Sequence, residues 1–324
     1  LTDWGAEAGV LRAELSACSE PGPGVTRLPF TPEHRATLKI LTARMEAAGL
    51  TVTLDAAGTL IGRAEEPPGS KTLLLGSHQD SVREGGAYDG IMGVVLPLLA
   101  LEKLRADGSV LPVSVEILAF ADEEGVRFPT ALVGSRALAG TVDPAVLEMC
   151  DATWISLRTV MREFGLDPDQ VHSLGRKPSE IMGFIETHIE QGPVLERADQ
   201  PLGLVTSICG IERHQITLTG ETGHAGTLPM EGRRDALVGA AALVTEVNRL
   251  ARTTPDLRGT VGAREVSPNV VNAVPREVRM TAEFRSPEDD TREAAGAALH
   301  CFAEELAVET GLRVICTRSY AQPA

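Results

Sequence analysis

The stretch GSHQDSVREGGAYDG, residues 76–90, constrains this chain more than any other. An apolar run, KTLLLGS, leads into His78, and Asp80 follows two residues later. A glycine-bearing loop then carries Asp89, and IMGVVLPLLALEKL continues with apolar residues at helical spacing. A buried strand, a polar loop and a helix in that order are how an α/β sheet builds a site beyond the carboxyl ends of its strands. Side chains two apart on a strand point the same way, so His78 and Asp80 are predicted to share a face. A neutral imidazole is a metal ligand, and a carboxylate on its far nitrogen fixes its tautomer. A solvated loop with a stray histidine is the competing reading of this stretch alone.

Two further patches carry ligand-type residues. PVSVEILAF, residues 112–120, reads as a core strand, and Asp122, Glu123 and Glu124 stand at its end. Adjacent carboxylates are common on surface loops, but a strand end in an α/β sheet is where such proteins place chemistry. Consecutive residues on an extended segment point in opposite directions. One glutamate is therefore predicted to bind metal while its neighbour faces substrate as a general base. In MGFIETHIEQGPVLE, residues 182–196, FIETHIE alternates as a strand or strand end. His188, Glu190 and Gln191 then precede a Gly192-Pro193 break. Taken singly, a histidine there is more often structural than a ligand.

The remaining pattern divides the chain. Helices are expected near residues 1–20 and from Thr31-Pro32 to Gly49, with two short strands in TVTLDAAGTLIGR and helices and loops over 134–180. PLGLVTSICG reads as one more apolar strand. After Gly210 come an alternating strand, IERHQITLTGE, the loop TGHAGTLPMEG and an alanine-rich helix. Strands near 260–267 and 276–285, a helix over 289–309 and the strand LRVICTRSY complete a β-α-β-β-α-β order. That order is a ferredoxin-like split βαβ unit. The expected organisation is an α/β domain over residues 1–210, with a mixed, largely parallel sheet flanked by helices, and an inserted α+β domain over 211–318.

Composition bounds the partners. A net charge of −15 argues against a nucleic-acid backbone or an anionic membrane, and 3% aromatic residues leave little for base stacking. No apolar run is long enough to span a bilayer, and no charged-then-apolar leader opens the sequence, although a trimmed start at Leu1 could hide one. Five cysteines, widely spaced and without a C-x-x-C pair, read as reduced, mostly buried thiols of a cytoplasmic protein.

Five motifs occurring in order, GSHQDS...GGAYDG, FADEEGVRF...GSRALAG, HIEQGPVLE, TGHAGTLPM and PNVVNAVP...EFRSPED, carry a resemblance across most of the chain. The chain resembles the hydantoinase/carbamoylase branch of the M20 metallopeptidase-like amidohydrolases. That branch includes N-carbamoyl-L-amino-acid hydrolase, β-ureidopropionase and allantoate amidohydrolase.

The resemblance implies hydrolysis of a ureido C–N bond by two divalent ions, Zn²⁺, Mn²⁺, Co²⁺ or Ni²⁺. It makes His78, Asp89 and His188 ligands of one ion, with Asp89 bridging to a second that Glu124 also binds. Glu123 matches the general base, and Asp80 the carboxylate that orients His78. Gln191, His224, Asn272 and Arg285 match substrate-binding positions, His224 at the carbonyl oxygen and the last two at a carboxylate. The inserted domain is implied to act as a lid and to mediate a homodimer. The small-molecule substrate is implied to be a ureido acid; a dipeptidase or aminoacylase of the wider clan and a non-catalytic homologue are the alternatives. Gln79, Thr59 and Leu228 stand where the family usually has Leu, Asn and Thr. The family also takes a further histidine ligand from a segment beyond the inserted domain. His34, His172, His214 and His300 do not match its context, so an incomplete second metal position is expected in this chain.

Overall fold

The computed structural model describes residues 2–64 and 67–324, in two compact units, Leu1–Asp199 and Gln200–Ala324. In the first, α1 (Trp4–Ser16) is capped by Asp3, whose Oδ1 accepts the amides of Gly5 and Ala6. The next helix, α2 (Pro32–Ala47), starts where Thr31 caps and Pro32 supplies a preset φ at the first position. A hairpin of β1 (Thr51–Leu54) and β2 (Leu60–Ala64) follows. Asp55 holds its turn by accepting the amides of Ala57 and Thr59, each at 2.9 Å.

Three more strands complete the sheet: β3 (Thr72–His78), β4 (Ser114–Phe120) and β5 (Ile181–Ile185), in the order β1-β2-β4-β3-β5. β3 runs parallel to β4 and β5, whereas β1–β2 and β2–β4 are antiparallel. The sheet is mixed in equal parts, not largely parallel. A tight hairpin can join only antiparallel strands, and it fills one side of the sheet. Helix α3 (Met92–Ala106) packs on β3, and with α1 and α2 it buries Leu11, Leu15, Leu41, Met45, Val94, Leu98 and Ile117. Leu74, Leu118 and Phe120 face the other way, toward Leu138 of α4 (Val133–Ala139). Helix α5 (Leu157–Phe164) carries Phe164, whose ring stacks 4.9 Å from that of fully buried His34. Burial lowers the His34 pKa to about 3, and its Nδ1 accepts the Phe30 amide at 2.8 Å. The short α6 (Val194–Arg197) ends the ordered elements of this unit.

The run PLGLVTSICG is not a strand. Leu202, Leu204 and Val205 are 75–92% exposed, and no strand pairs with them. Apolar character alone does not supply a hydrogen-bonding partner.

The second unit has β6 (Gly210–Thr219), α7 (Ala236–Thr253), β7 (Arg258–Ser267), β8 (Glu277–Ser286), α8 (Asp289–Thr310) and β9 (Arg313–Gln322). Its antiparallel sheet has the order β7-β8-β6-β9, with both helices packed against it. Strand β6 alternates strictly, and its buried face carries Glu212 and His214 beside Ile216 and Leu218. All five cysteines are free; Cys301 is exposed and the others half-buried, so none is a fully buried thiol as expected. Among the described residues no helix is long and apolar enough to cross a membrane.

Candidate active site

The carboxyl ends of β3, β4 and β5 lie side by side, and three separate loops bring their polar residues together there. His78 is the last residue of β3, with 4% exposure. Its Nδ1 sits 2.9 Å from the main-chain oxygen of Asp80, which leaves Nε2 as the lone-pair nitrogen. That Nε2 faces Asp89 Oδ1 and Glu123 Oε2, each at 3.9 Å. His188 repeats the device: its Nδ1 lies 2.9 Å from the Ile189 carbonyl, and its Nε2 lies 3.2 Å from Asp89 Oδ1.

Two donor groups result. His78, Asp89 and His188 offer ligand atoms within 4.8 Å of one another, and so do His78, Glu123 and Glu124. The two share His78. Asp89 Oδ1 is buried and accepts no hydrogen bond. A buried carboxylate oxygen facing two imidazole nitrogens, with no donor of its own, fits a divalent cation. The donor set, imidazole and carboxylate without sulfur, suits the same class of ion.

The strand after Phe120 does not stay extended. Asp122 takes φ 56°, and the chain bends so that Glu123 and Glu124 both turn toward His78. The expected division into opposite facings is therefore replaced by convergence. The bend is held by Asp80, whose Oδ1 and Oδ2 accept the amides of Glu123 and Glu124 at 3.1 and 3.2 Å. The Asp80 carboxylate itself stands 3.9 Å from His78 Nδ1, so it is the Asp80 carbonyl that meets the ring directly.

Gly90 makes the close approach of the Asp89 loop possible. Its φ is +62°, and a Cβ there would come within 2.4 Å of the His78 ring. Only glycine fits both demands.

The electrostatics follow from crowding acids under low solvent access. Burial raises the Asp80, Glu123 and Glu124 carboxyls above their ordinary range, and His78 pulls each part of the way back. Asp122 is raised well above its ordinary range, by burial and by the neighbouring Asp80, and neither of its oxygens has a partner. For His78, burial acts against the imidazolium, but Asp80, Glu123 and Glu124 outweigh it and the net shift is upward.

Two groups were not singled out as site residues from sequence. Glu186 binds the Ser77 hydroxyl and adds its charge beside Glu123. The alternation of FIETHIE, which puts Glu186 and His188 on one side, was the available signal. Asp122 stood in the DEE run, but nothing in that run announces a left-handed aspartate.

The other sequence candidates lie elsewhere in their own units. Gln191 is exposed in a left-handed turn at φ 54°. In the second unit His224 bridges Ala273, and the Ala225 amide donates to the Asn272 carbonyl at 3.0 Å, so His224 and Asn272 are local neighbours. Arg285 projects from β8, where its Nε donates to Glu283 at 2.7 Å; Glu283 also takes Arg213. A cavity of about 470 Å³ lined by Arg63, Thr72, Glu116 and Arg176 lies by the opposite ends of β3 and β4 and touches none of these groups.

The profile of peptidase family M20/M25/M40 matches residues 74–319. An N-carbamoyl-L-amino acid amidohydrolase of Geobacillus stearothermophilus is 41% identical over 300 residues, which cover 92% of this chain and 73% of that protein. An allantoate amidohydrolase of Escherichia coli is 36% identical over 302 residues, covering 92% and 71%. A solved amidase of the hydantoinase/carbamoylase family from Burkholderia multivorans superposes with a TM-score of 0.89 at 31% identity, covering 98% of this chain and 78% of that one.

Proposed function

This chain belongs to peptidase family M20/M25/M40 and is a hydrolase of C–N bonds, and on that premise we propose that it hydrolyses the ureido C–N bond of N-carbamoyl-L-amino acids. The observation that carries the reading is the convergence of His78, Asp89, Glu123, Glu124 and His188 at one sheet edge. The higher identity to N-carbamoyl-L-amino acid amidohydrolases than to allantoate amidohydrolase favours the former substrate class.

His78, Asp89 and His188 would hold one divalent ion, with Asp89 and Glu124 holding a second. Such ions supply Lewis-acid polarisation of a poor electrophile and a more acidic water. Glu123 is the proton carrier in this reading. Its carboxyl is raised by burial, which favours taking a proton from water and returning it to the departing nitrogen. Asp80 is a positioning residue, because it fixes the backbone from which Glu123 and Glu124 project. Cleavage would release the free amino acid and carbamate, and the carbamate breaks down to ammonia and CO₂.

Substrate roles for Gln191, His224, Asn272 and Arg285 rest on the family motifs. In this reading residues 211–318 are an inserted, ferredoxin-like lid, His224 polarises the carbonyl oxygen, and Arg285 with Asn272 holds the substrate carboxylate. An arginine fork suits a carboxylate. Homodimerisation through this unit and residence in the cytoplasm belong to the same proposal.

The test is ammonia release from N-carbamoyl-L-amino acids, N-carbamoyl-β-alanine and allantoate, each with Zn²⁺, Mn²⁺, Co²⁺ or Ni²⁺. Turnover of the L-amino-acid derivatives above the other two supports the proposal. Selective turnover of allantoate would replace it.

A further inference from the structure

Beneath α8 in the second unit lies a cluster that the hydrolytic reading does not use. His214 on β6 is 1% exposed, and its Nδ1 is 3.1 Å from His300 Nε2 on α8. Cys316 on β9 pairs in register with Ile216, two residues along β6 from His214, so its side chain is directed to the same face. Ligand atoms of His214, His300 and Cys316 all lie within 4.8 Å of one another. Gly296, one helical turn before His300, permits this closeness: a Cβ there would lie 3.1 Å from His214 Nε2 and closer still to Glu212.

We propose that His214, His300 and Cys316 form a binding site for one zinc-class transition-metal ion, separate from the hydrolytic centre. Two imidazoles and a thiolate are the donor types such borderline ions select. The spacing agrees. Two nitrogens bound at about 2.0–2.1 Å around a tetrahedral ion stand roughly 3.3 Å apart, close to the 3.1 Å between His214 and His300. Glu212 Oε1 lies 3.0 Å from His214 Nε2, off the line of a hydrogen bond. A carboxylate there favours the proton on Nε2 and leaves the Nδ1 lone pair facing His300.

Burial raises the Cys316 thiol pKa to about 11, so its proton loss has to be coupled to ion binding. Arg292 pairs with Glu212 at 3.0 Å and Asp289 at 2.9 Å, and Arg318 approaches Glu212 at 3.8 Å. Glu212 is divided among Arg292, Arg318 and His214, and burial keeps His214 neutral. On binding, the Cys316 thiol releases its proton to solvent and the thiolate donates a pair to the ion. The bound ion would tie β6, α8 and β9 together.

Cobalt distinguishes this site, because its thiolate charge-transfer absorption requires a sulfur ligand and the hydrolytic donor set has none. Titration of the purified protein with Co²⁺ is expected to give that near-ultraviolet band. Cys316→Ser should abolish it and Cys301→Ser should keep it. Independently of any variant, Zn²⁺ should slow alkylation of Cys316, read by peptide mass spectrometry, at least tenfold while leaving Cys301 unaffected. Absence of the band, its survival in Cys316→Ser, or Zn²⁺-independent alkylation of Cys316 would each overturn the proposal, leaving a hydrogen-bonded histidine pair beside an ordinary thiol.

Discussion

The main-chain amide of Glu123 donates to the carboxylate of Asp80 at 3.1 Å, so a side chain from one loop sets the backbone of another. Glu124 uses the second oxygen of the same carboxylate.

Asp80→Asn should expose that dependence. The substitution replaces one acceptor oxygen with an NH₂ group that meets an amide donor. An unsatisfied buried donor costs about 1–3 kcal/mol, and Glu123 loses its fixed origin. A fall in kcat of roughly a hundredfold or more is expected, since misplacing catalytic groups by about an ångström has that effect. Turnover and melting temperature measured together check it; unchanged kcat would remove Asp80 from the positioning role.

Glu123→Gln and Glu124→Gln should behave differently despite adjacent positions. The first should lower turnover by about 10²–10⁴ while sparing metal content, as loss of a general base does. The second should lose metal at one position. Inductively coupled plasma analysis beside kinetics separates them, and the reverse pattern would exchange the roles.

Gly90→Ala would force a Cβ into the His78 ring. Its positive φ adds strain of about 1 kcal/mol for a residue with a side chain. Reduced metal content and a lowered melting temperature are expected together. Full metal occupancy in this variant would mean that the ring has room to move without loss of ligation.

Much of this arrangement was legible in the sequence. The apolar runs before His78 and Asp122 marked strands whose ends carry the clustered histidine and carboxylates, and residues as far apart as His78 and His188 do meet. The bend at Asp122 was not legible, because a left-handed aspartate is stabilised by what surrounds it and not by local composition. The run at 201–210 misled for a related reason: apolar residues specify burial only when a partner surface exists. The charged buried face of β6 was equally hidden, since alternation shows two faces without saying which is inside.

Acid should destabilise the first unit through His34. Its folded pKa of about 3 lies below the ordinary 6.5. Above pH 6.5 neither state binds the proton and this contribution is complete. As pH falls below 6.5 the unfolded chain takes up a proton that the folded chain refuses, so stability is lost progressively toward pH 3. The slope approaches about 1.4 kcal/mol per pH unit for one group. His34→Asn, which keeps an acceptor for the Phe30 amide, should flatten that slope in urea titrations between pH 6 and 4. An identical slope in both proteins would count against the assignment.

Asp80, Asp89, Asp122, Glu123, Glu124 and Glu186 crowd around two imidazoles at the ends of three strands. So many acids in one place repel one another, and a divalent cation relieves that repulsion as well as forming bonds. Under the proposed metal binding, ion supply would become a term in the folding equilibrium. At free ion concentrations about a hundred times the dissociation constant the folded state gains about 2.7 kcal/mol. The loops after β3 and β4 are then held as firmly as the surrounding solution allows, and their susceptibility to proteases should rise and fall with divalent ion.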